Sequence, residues 1–253
     1  MRNFTHLALA VLAAAFHVTP ASAGALPPMI GYTLYVDGVR VGHSGMKIRR
    51  EGNALHFEST TRVELGPNVI ALKSRTEADP ETFAIRRFSY EGTKGGMATA
   101  TEVVLRGDSA VGWVQSPGAG RRNPRSEVNR GGFVVFEDWV MDLEVLLALR
   151  QAGAAANPST WRLLFANSFL ATDLVAGFTG QVTVESETRS MTARKMEILF
   201  SGATPFESHV DPATGVPVYL HFPGTRTEAF RDDFFGDNPV SRYPGTPTGR
   251  SAK

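Results

Sequence analysis

Apolar and polar residues alternate along most of this chain, and the alternation predicts β-strands. In residues 55–65, Leu55, Phe57 and Val63 fall on one parity, while the charged residues between them fall on the other. Similar segments, joined by short turns rich in Gly, Asp and Asn, recur over residues 32–114 and 159–222. Strands joined in this way form an antiparallel meander, and about ten are expected.

The segment YTLYVDGVRVGHSG, residues 32–45, predicts a hairpin around Asp37-Gly38, a dipeptide that suits a two-residue turn. Three cross-strand pairs should share its apolar face. These pairs are Tyr32 with His43, Leu34 with Val41, and Val36 with Val39. The opposite face should carry Thr33, Tyr35, Arg40 and Gly42.

A last hairpin is predicted over residues 205–222, around the turn DPATG. Its polar face should carry Glu207, His209 and His221, which are residue types that bind zinc. The predicted register, however, places His221 opposite Pro205, about 13 Å along the strand from His209. That separation is too large for one tetrahedral ion, so we predict solvent-facing histidines and no metal site.

Residues 138–151 are the one segment with a clear helical period. Asp138 suits the N-cap of this helix, and Gly153 lies just past its end. The apolar face of the helix should carry Trp139, Leu143, Leu146 and Leu147.

One helix is too small to cover the predicted sheet. A helix of about 14 residues is about 21 Å long, whereas ten strands would span about 50 Å. The sheet must therefore curl on itself, split into a sandwich, or bind something apolar. We predict a mainly β fold with a strongly curved antiparallel sheet, a half-barrel or open barrel, and one main helix on its concave face. A filled two-sheet sandwich is the alternative.

The N-terminal residues are typical of an export signal. Arg2 precedes a short apolar run, and an Ala-Ser-Ala motif ends at Ala23. The run is shorter than the roughly 20 residues of a membrane span. We expect cleavage after Ala23, a periplasmic location, one β-rich domain over residues 24–235, and a disordered tail over residues 236–253.

Composition narrows the range of functions. The chain has no cysteine, which excludes thiol catalysis, disulfides and thiolate metal sites. It has 26 basic and 25 acidic residues, and this balance argues against a nucleic-acid partner. One polar loop, residues 116–132, carries the basic cluster Arg121, Arg122, Arg125 and Arg130. A solvated loop is favoured there, with contact to an anionic membrane surface or an envelope protein as the alternative.

No catalytic constellation is evident. The chain contains no G-x-S-x-G motif, and His43 and Ser44 are strand neighbours that should point to opposite faces. The carboxylates suggest no glycosidase pair, and Arg106-Gly107-Asp108 is more typical of a hairpin turn. We therefore expect a protein without catalytic residues, metal or cofactor, and a hydrolase is the least favoured class.

Three segments carry a resemblance. They are YTLYVDGVRVG at 32–42, FVVFEDWVMDLEVLLALR at 133–150 and SHVDPATGVPVYLHFPG at 208–224. In this order they resemble exported Gram-negative proteins known as domains of unknown function, over most of residues 30–232. Such proteins are similar in strand order to the LolA/LolB-type lipoprotein carriers, whose half-open barrel holds acyl chains. This resemblance implies an open barrel and an apolar ligand, although the lipoprotein cysteine of a LolB-like protein is missing here.

These observations predict a periplasmic, non-catalytic binding protein for a lipid, an acyl chain or another hydrophobic ligand inside the curved sheet. Binding would come from desolvation of apolar surface, at about 25 cal/mol per Å². The predicted lining residues are Leu34, Val36, Val41, Phe57, Val63, Trp139, Leu143 and Leu147. A structural or partner-binding envelope module with a filled core is the alternative.

Overall fold

The computed structural model describes residues 25–116, 118–127, 133–200, 204–237 and 239–243. Their sixteen strands form one sheet. The strands are β1 (Met29–Val36), β2 (Val39–Glu51), β3 (Ala54–Leu65), β4 (Asn68–Ala78), β5 (Ile85–Lys94), β6 (Met97–Arg106), β7 (Ser109–Gln115), β8 (Arg121–Arg122), β9 (Arg125–Glu127), β10 (Phe133–Phe136), β11 (Ser159–Phe165), β12 (Ala171–Glu185), β13 (Ser190–Phe200), β14 (Phe206–Val210), β15 (Pro217–Phe222) and β16 (Thr227–Arg231). The helices are α1 (Met141–Ala152) and α2 (Asp232–Phe235).

The sheet is curved and open. Its order runs from β10 through β11–β16 and then from β1 to β8, because β16 pairs with β1, while β9 pairs with β7. All described pairs are antiparallel except β10 with β11. Strand β10 also packs against β5, so one edge of the sheet lies inside the curve of the other half. The predicted curved β-sheet with one main helix is therefore confirmed.

The first hairpin turns where the sequence predicts, but its register slips. Asp37 and Gly38 have φ angles of 52° and 76°, as a type I′ turn requires, and Val36 pairs with Val39. A bulge then shifts the pairing, so the predicted Leu34–Val41 and Tyr32–His43 pairs are wrong. A bulge adds one residue to one strand and so moves every later side chain relative to its partner.

The bulge places His43 on the outer face of the sheet. Its actual partner is Thr33, and both side chains hydrogen-bond to Asp232 at the start of α2, at 2.9 and 2.8 Å. His43 therefore does not share the apolar face of Tyr32, as predicted. Ser44 points to the inner face, where its hydroxyl lies 2.8 Å from that of Thr61.

Helix α1 begins three residues later than predicted. Trp139 has a φ of 70°, which no α-helical residue can adopt, so neither it nor Asp138 belongs to the helix. The N-cap is Val140 and has no side-chain capping bond, which corrects the predicted Asp138 cap. Gly153 does follow the helix, as predicted. Among the described residues, no helix is long and apolar enough to cross a membrane.

The register of the last hairpin also differs from the prediction. Irregular pairing at Val210 places Glu207 opposite His221 and His209 opposite Tyr219. His221 is therefore not opposite Pro205. Within the turn, the Asp211 carbonyl accepts from Gly215 N, and Asp211 N donates to Val216 O.

Candidate functional site

Five phenylalanines gather at one end of the rolled sheet, and each sits at the terminus of a strand. They end β10, β11, β13 and β15 and begin β14. We call this set the aromatic mouth, which consists of Phe136, Phe165, Phe200, Phe206 and Phe222. Strand ends meet there because β10 runs parallel to β11, whereas β13, β14 and β15 alternate in direction.

The rings of the aromatic mouth form a continuous chain. Phe136, Phe165 and Phe200 form a triangle with ring centroids 5.8–6.1 Å apart. Phe200 lies 6.4 Å from Phe206, which in turn stacks on Phe222 at 4.8 Å. These spacings are typical of favourable aromatic pairs.

A cavity of about 570 Å³ opens beside these rings. Its opposite wall is the segment that leads into α1, with Trp139, Met141 and Glu144. Thr204 and the β15–β16 turn complete the rim. This volume is within the range of about 300–1,000 Å³ found for small-molecule sites.

Trp139 forms part of the cavity wall in a strained conformation. A bulky residue with positive φ is an outlier that costs on the order of 1–3 kcal/mol and persists only where its surroundings enforce it. Such strain clusters at ligand-binding sites. The conformation turns the chain between β10 and α1 and leaves the indole partly exposed beside the cavity.

Glu144, in the first turn of α1, is the unusual polar group of this cavity. The residue is 4% exposed, and its carboxyl forms no ion pair with any described residue. Burial, together with the nearby Asp138 and Asp142 carboxyls, raises the pKa of Glu144 to about 8. The side chain is therefore mostly neutral at pH 7.

Glu137 is the second buried acid of the cavity, and it is paired. Its carboxylate accepts from Lys94 Nζ at 2.6 Å, which ties the end of β10 to β5. Burial raises the pKa of Glu137, while the Lys94 ammonium opposes the rise. This ion pair positions the cavity wall across the gap between the two halves of the sheet.

The sequence-predicted lining residues are divided between core and cavity. Leu34, Phe57, Val63 and Leu143 are buried in the main core, and Val41 packs against it. Leu147 belongs to a second core under β10–β14, and Val36 is partly exposed. Trp139 is the member of the predicted set that lines the cavity.

The histidines near the C-terminus take part in a polar network on the outer face. His221 Nδ1 lies 3.3 Å from Glu207 and its Nε2 lies 2.6 Å from the Tyr243 hydroxyl, so the side chain does not simply face solvent. His209 is buried, and burial lowers its pKa to about 4. Glu207 also binds Lys195 and Arg242. Within the described part of the chain, no group of three or more acidic or histidine side chains could hold a metal ion.

Part of the predicted C-terminal tail contacts this network. Ser241 donates to Glu228, and the Tyr243 hydroxyl hydrogen-bonds with His221 Nε2, so residues 241–243 lie against the sheet. The leader expected at residues 1–23 and the tail residues 244–253 lie outside the described residues.

The arginine cluster is only partly described. Arg121 stacks on Trp113 at 4.1 Å, and Arg125 donates to Ser109 at 2.9 Å. Arg121 and Arg122 form β8 and Arg125 begins β9, so short strands replace part of the predicted loop. Arg130 lies outside the described residues.

A second hollow, of about 660 Å³, lies on the outer face of β2–β7. Charged side chains of both signs line it, and two of them, Glu102 and Glu58, pair with neighbouring Arg87 and Arg49. Paired charges in solvent are typical of an exposed sheet face. The aromatic cavity, with its unpaired acid, is therefore the stronger candidate site.

None of the five aromatic-mouth residues is among the lining residues predicted from the sequence, although Phe136 and Phe222 lie within the segments 133–150 and 208–224 that carry the resemblance. One sequence signal was available: a phenylalanine at the terminus of several successive strands, where turn residues are more common. Which termini meet depends on strand order, which that signal does not give.

Comparisons with known proteins extend the fold assignment. No protein-family model matches the chain, and no curated protein is similar to it in sequence. A β-barrel-like protein of the domain of unknown function DUF1849 from Brucella abortus has a TM-score of 0.54 at 10% identity, over 82% of this chain and 96% of that chain. A DUF1089 family protein from Pseudomonas aeruginosa has a TM-score of 0.37 at 15% identity, over 72% and 90%. The first match supports the β-barrel-like fold, and its designation agrees with the resemblance to domains of unknown function.

Proposed function

We propose that this protein binds an apolar or amphipathic ligand, such as a lipid or acyl chain, in the cavity beside the aromatic mouth, without transforming it. The observation that carries the proposal is a cavity of about 570 Å³ with a wall of linked aromatic rings. A folded protein rarely leaves so much aromatic surface beside empty space unless something covers it.

The physical basis is desolvation. Each Å² of apolar surface removed from water contributes about 25 cal/mol, and five phenylalanine rings offer a large area. The inner faces of α1 and the sheet are packed against each other, with Leu143, Val145 and Leu146 buried. The ligand therefore enters at the end of the rolled sheet rather than between helix and sheet.

The biological setting belongs to the same proposal. The leader expected at residues 1–23 would deliver the protein to the periplasm, where apolar molecules cross an aqueous space. A half-open barrel that holds acyl chains, as in the LolA/LolB-type carriers, is the architecture that this function would use. An envelope module with a filled core and a hydrolase are the competing functions.

Blocking the cavity should abolish ligand binding. Thr204 is exposed at the rim, so Thr204→Trp places an indole over the opening without disturbing the core. We expect the uncharged dye N-phenyl-1-naphthylamine to fluoresce with the wild type and to bind the variant at least about tenfold more weakly. The matched control is Thr183→Trp, since Thr183 is exposed on β12 away from the cavity and should leave binding unchanged.

The outcomes separate the three functions. Failure of the wild type to bind the dye, with its melting temperature intact, would favour the filled envelope module. Equal weakening by both tryptophan variants would place binding elsewhere on the surface. Ester hydrolysis that is lost on substitution of a single serine or histidine would establish the hydrolase.

A further inference from the structure

We propose that the ligand of this cavity carries a cationic amine head group on its apolar chain, and that carboxylate and phosphate head groups are rejected. This inference rests on the proposed function, and it adds the chemical class of the head group. It follows from the charges around the cavity. Three of the described lining residues are acidic, namely Glu137, Asp138 and Glu144, and none is basic.

Lys94 compensates only one of these acids. Its ammonium pairs with Glu137 at 2.6 Å, and no other described residue supplies a cation to Asp138 or Glu144. Asp138 is exposed at the rim, whereas Glu144 is 4% exposed inside. A cation would therefore meet negative charge first at the entrance and then a buried carboxyl inside.

Glu144 is the group with which the ligand head group should form a hydrogen bond. Its carboxyl forms no ion pair with any described residue, and beside it Glu137 Oε2 is buried without a hydrogen-bond partner among the described residues, which costs free energy. An ammonium would form a charge-assisted hydrogen bond with the Glu144 carboxyl, which is about twice as strong as a neutral one. A carboxylate or phosphate would instead add negative charge beside Asp138 and Glu144.

The aromatic rings favour the same head group independently. The face of an aromatic ring is electronegative, and ammonium groups bind over such faces, with tryptophan the best. Trp139 and the aromatic mouth supply six rings around the cavity. Anions gain nothing from ring faces, so charge and ring chemistry select the same class of ligand.

Amine binding should release a proton from Glu144. Its carboxyl is held mostly neutral at pH 7 by burial, and the groups near it are Asp138, Asp142 and the buried Tyr32 phenol. None of these is a cation. An arriving ammonium would favour the ionised carboxylate, so the proton leaves to buffer as the ion pair forms.

The experiment compares three ten-carbon ligands as competitors of N-phenyl-1-naphthylamine at about pH 8. We expect decylamine to displace the dye at a concentration at least about tenfold lower than decanoate, with the uncharged decanol between them. Glu144→Gln should reduce the amine-to-carboxylate ratio to below about threefold. Gln has the shape of the neutral acid, so the variant should fold.

Calorimetry provides a second readout that needs no variant. Titration of the wild type with decylamine at pH 7, in two buffers of different ionisation enthalpy, should show release of close to one proton. If decanoate bound as strongly as decylamine, or if no proton were released, the amine assignment would be wrong. Binding of the dye and of decanol would then still support the proposed function. Absence of binding by dye and all three ligands would overturn the proposed function itself.

Discussion

Replacing Glu144 with glutamine should raise the free energy of unfolding above pH 8 and leave it almost unchanged below about pH 5. Burial raises the pKa of Glu144 from 4.5 to about 8. Between these values the folded protein keeps a proton that the unfolded chain has lost, so wild-type stability falls as the pH rises through this window. The full shift corresponds to on the order of 5 kcal/mol. Glutamine does not ionise, so the variant escapes this loss.

Urea unfolding of both proteins at several pH values between about 5 and 9 would measure the effect as a difference curve. His209 also titrates: burial lowers its pKa to about 4, so both proteins lose stability as the pH falls from about 6.5 to 4. That loss cancels in the difference. The control is Glu187→Gln, an exposed glutamate in the β12–β13 turn, which should give a flat difference. Parallel wild-type and Glu144→Gln curves would mean that Glu144 is solvated or paired.

A buried acid without a partner destabilises the folded protein, and its position in a cavity indicates a role in ligand binding. Glu144 lines an empty, largely apolar cavity rather than a packed core. Groups with strongly perturbed pKa values in clefts are candidates for function because folding alone does not require them. Asp142, which lies in the same first turn of α1, shows the contrast, because Ser74 and Thr76 donate to its buried carboxyl at 3.1 and 2.5 Å.

Alternation along the chain was enough to predict the sheet, because the period of two is a local property. In β3, Phe57 and Val63 are fully buried while Glu58 and Glu64 remain outside. The Asp37-Gly38 turn was equally local. The register beyond that turn is not a local property, because Thr33 and His43 both bind Asp232, which lies far away in the sequence.

The candidate site could not be predicted from local patterns. Its rings come from five strands, and the strand order from β10 to β15 decides which strand ends meet beside the cavity. Helix α1 shows the same limitation. Its apolar face was evident, but Met141 through Gln151 are all buried, so Glu144 lies inside the protein on the other side of the helix.

The second large effect is expected at Gly112, where β7 meets the loop between β11 and β12. A Cβ at this position would overlap the backbone carbonyl of Glu102 on β6 and would lie 3.1 Å from the ring of Phe169. A backbone obstacle cannot rotate away, so Gly112→Ala must push the strands apart. We expect a loss of about 3 kcal/mol in the free energy of unfolding, at the upper end of the overpacking range.

Gly180→Ala is the matched control, because Gly180 also lies in a strand but a Cβ there meets no atom within 4 Å. Its substitution should change stability by less than about 0.5 kcal/mol, or stabilise slightly by restricting the unfolded chain. Equal stability of the two alanine variants would show that β7 does not approach this loop.

The same substitution should also weaken ligand binding. Phe169 is held by the turn in which its amide donates to Phe165 O at 2.8 Å, and Phe165 belongs to the aromatic mouth. Displacing Phe169 from Gly112 therefore moves a ring of the cavity wall. Gly112→Ala should bind N-phenyl-1-naphthylamine more weakly than Gly180→Ala under conditions in which both are folded. Unchanged dye binding would mean that the cavity does not depend on how the sheet curls over this loop.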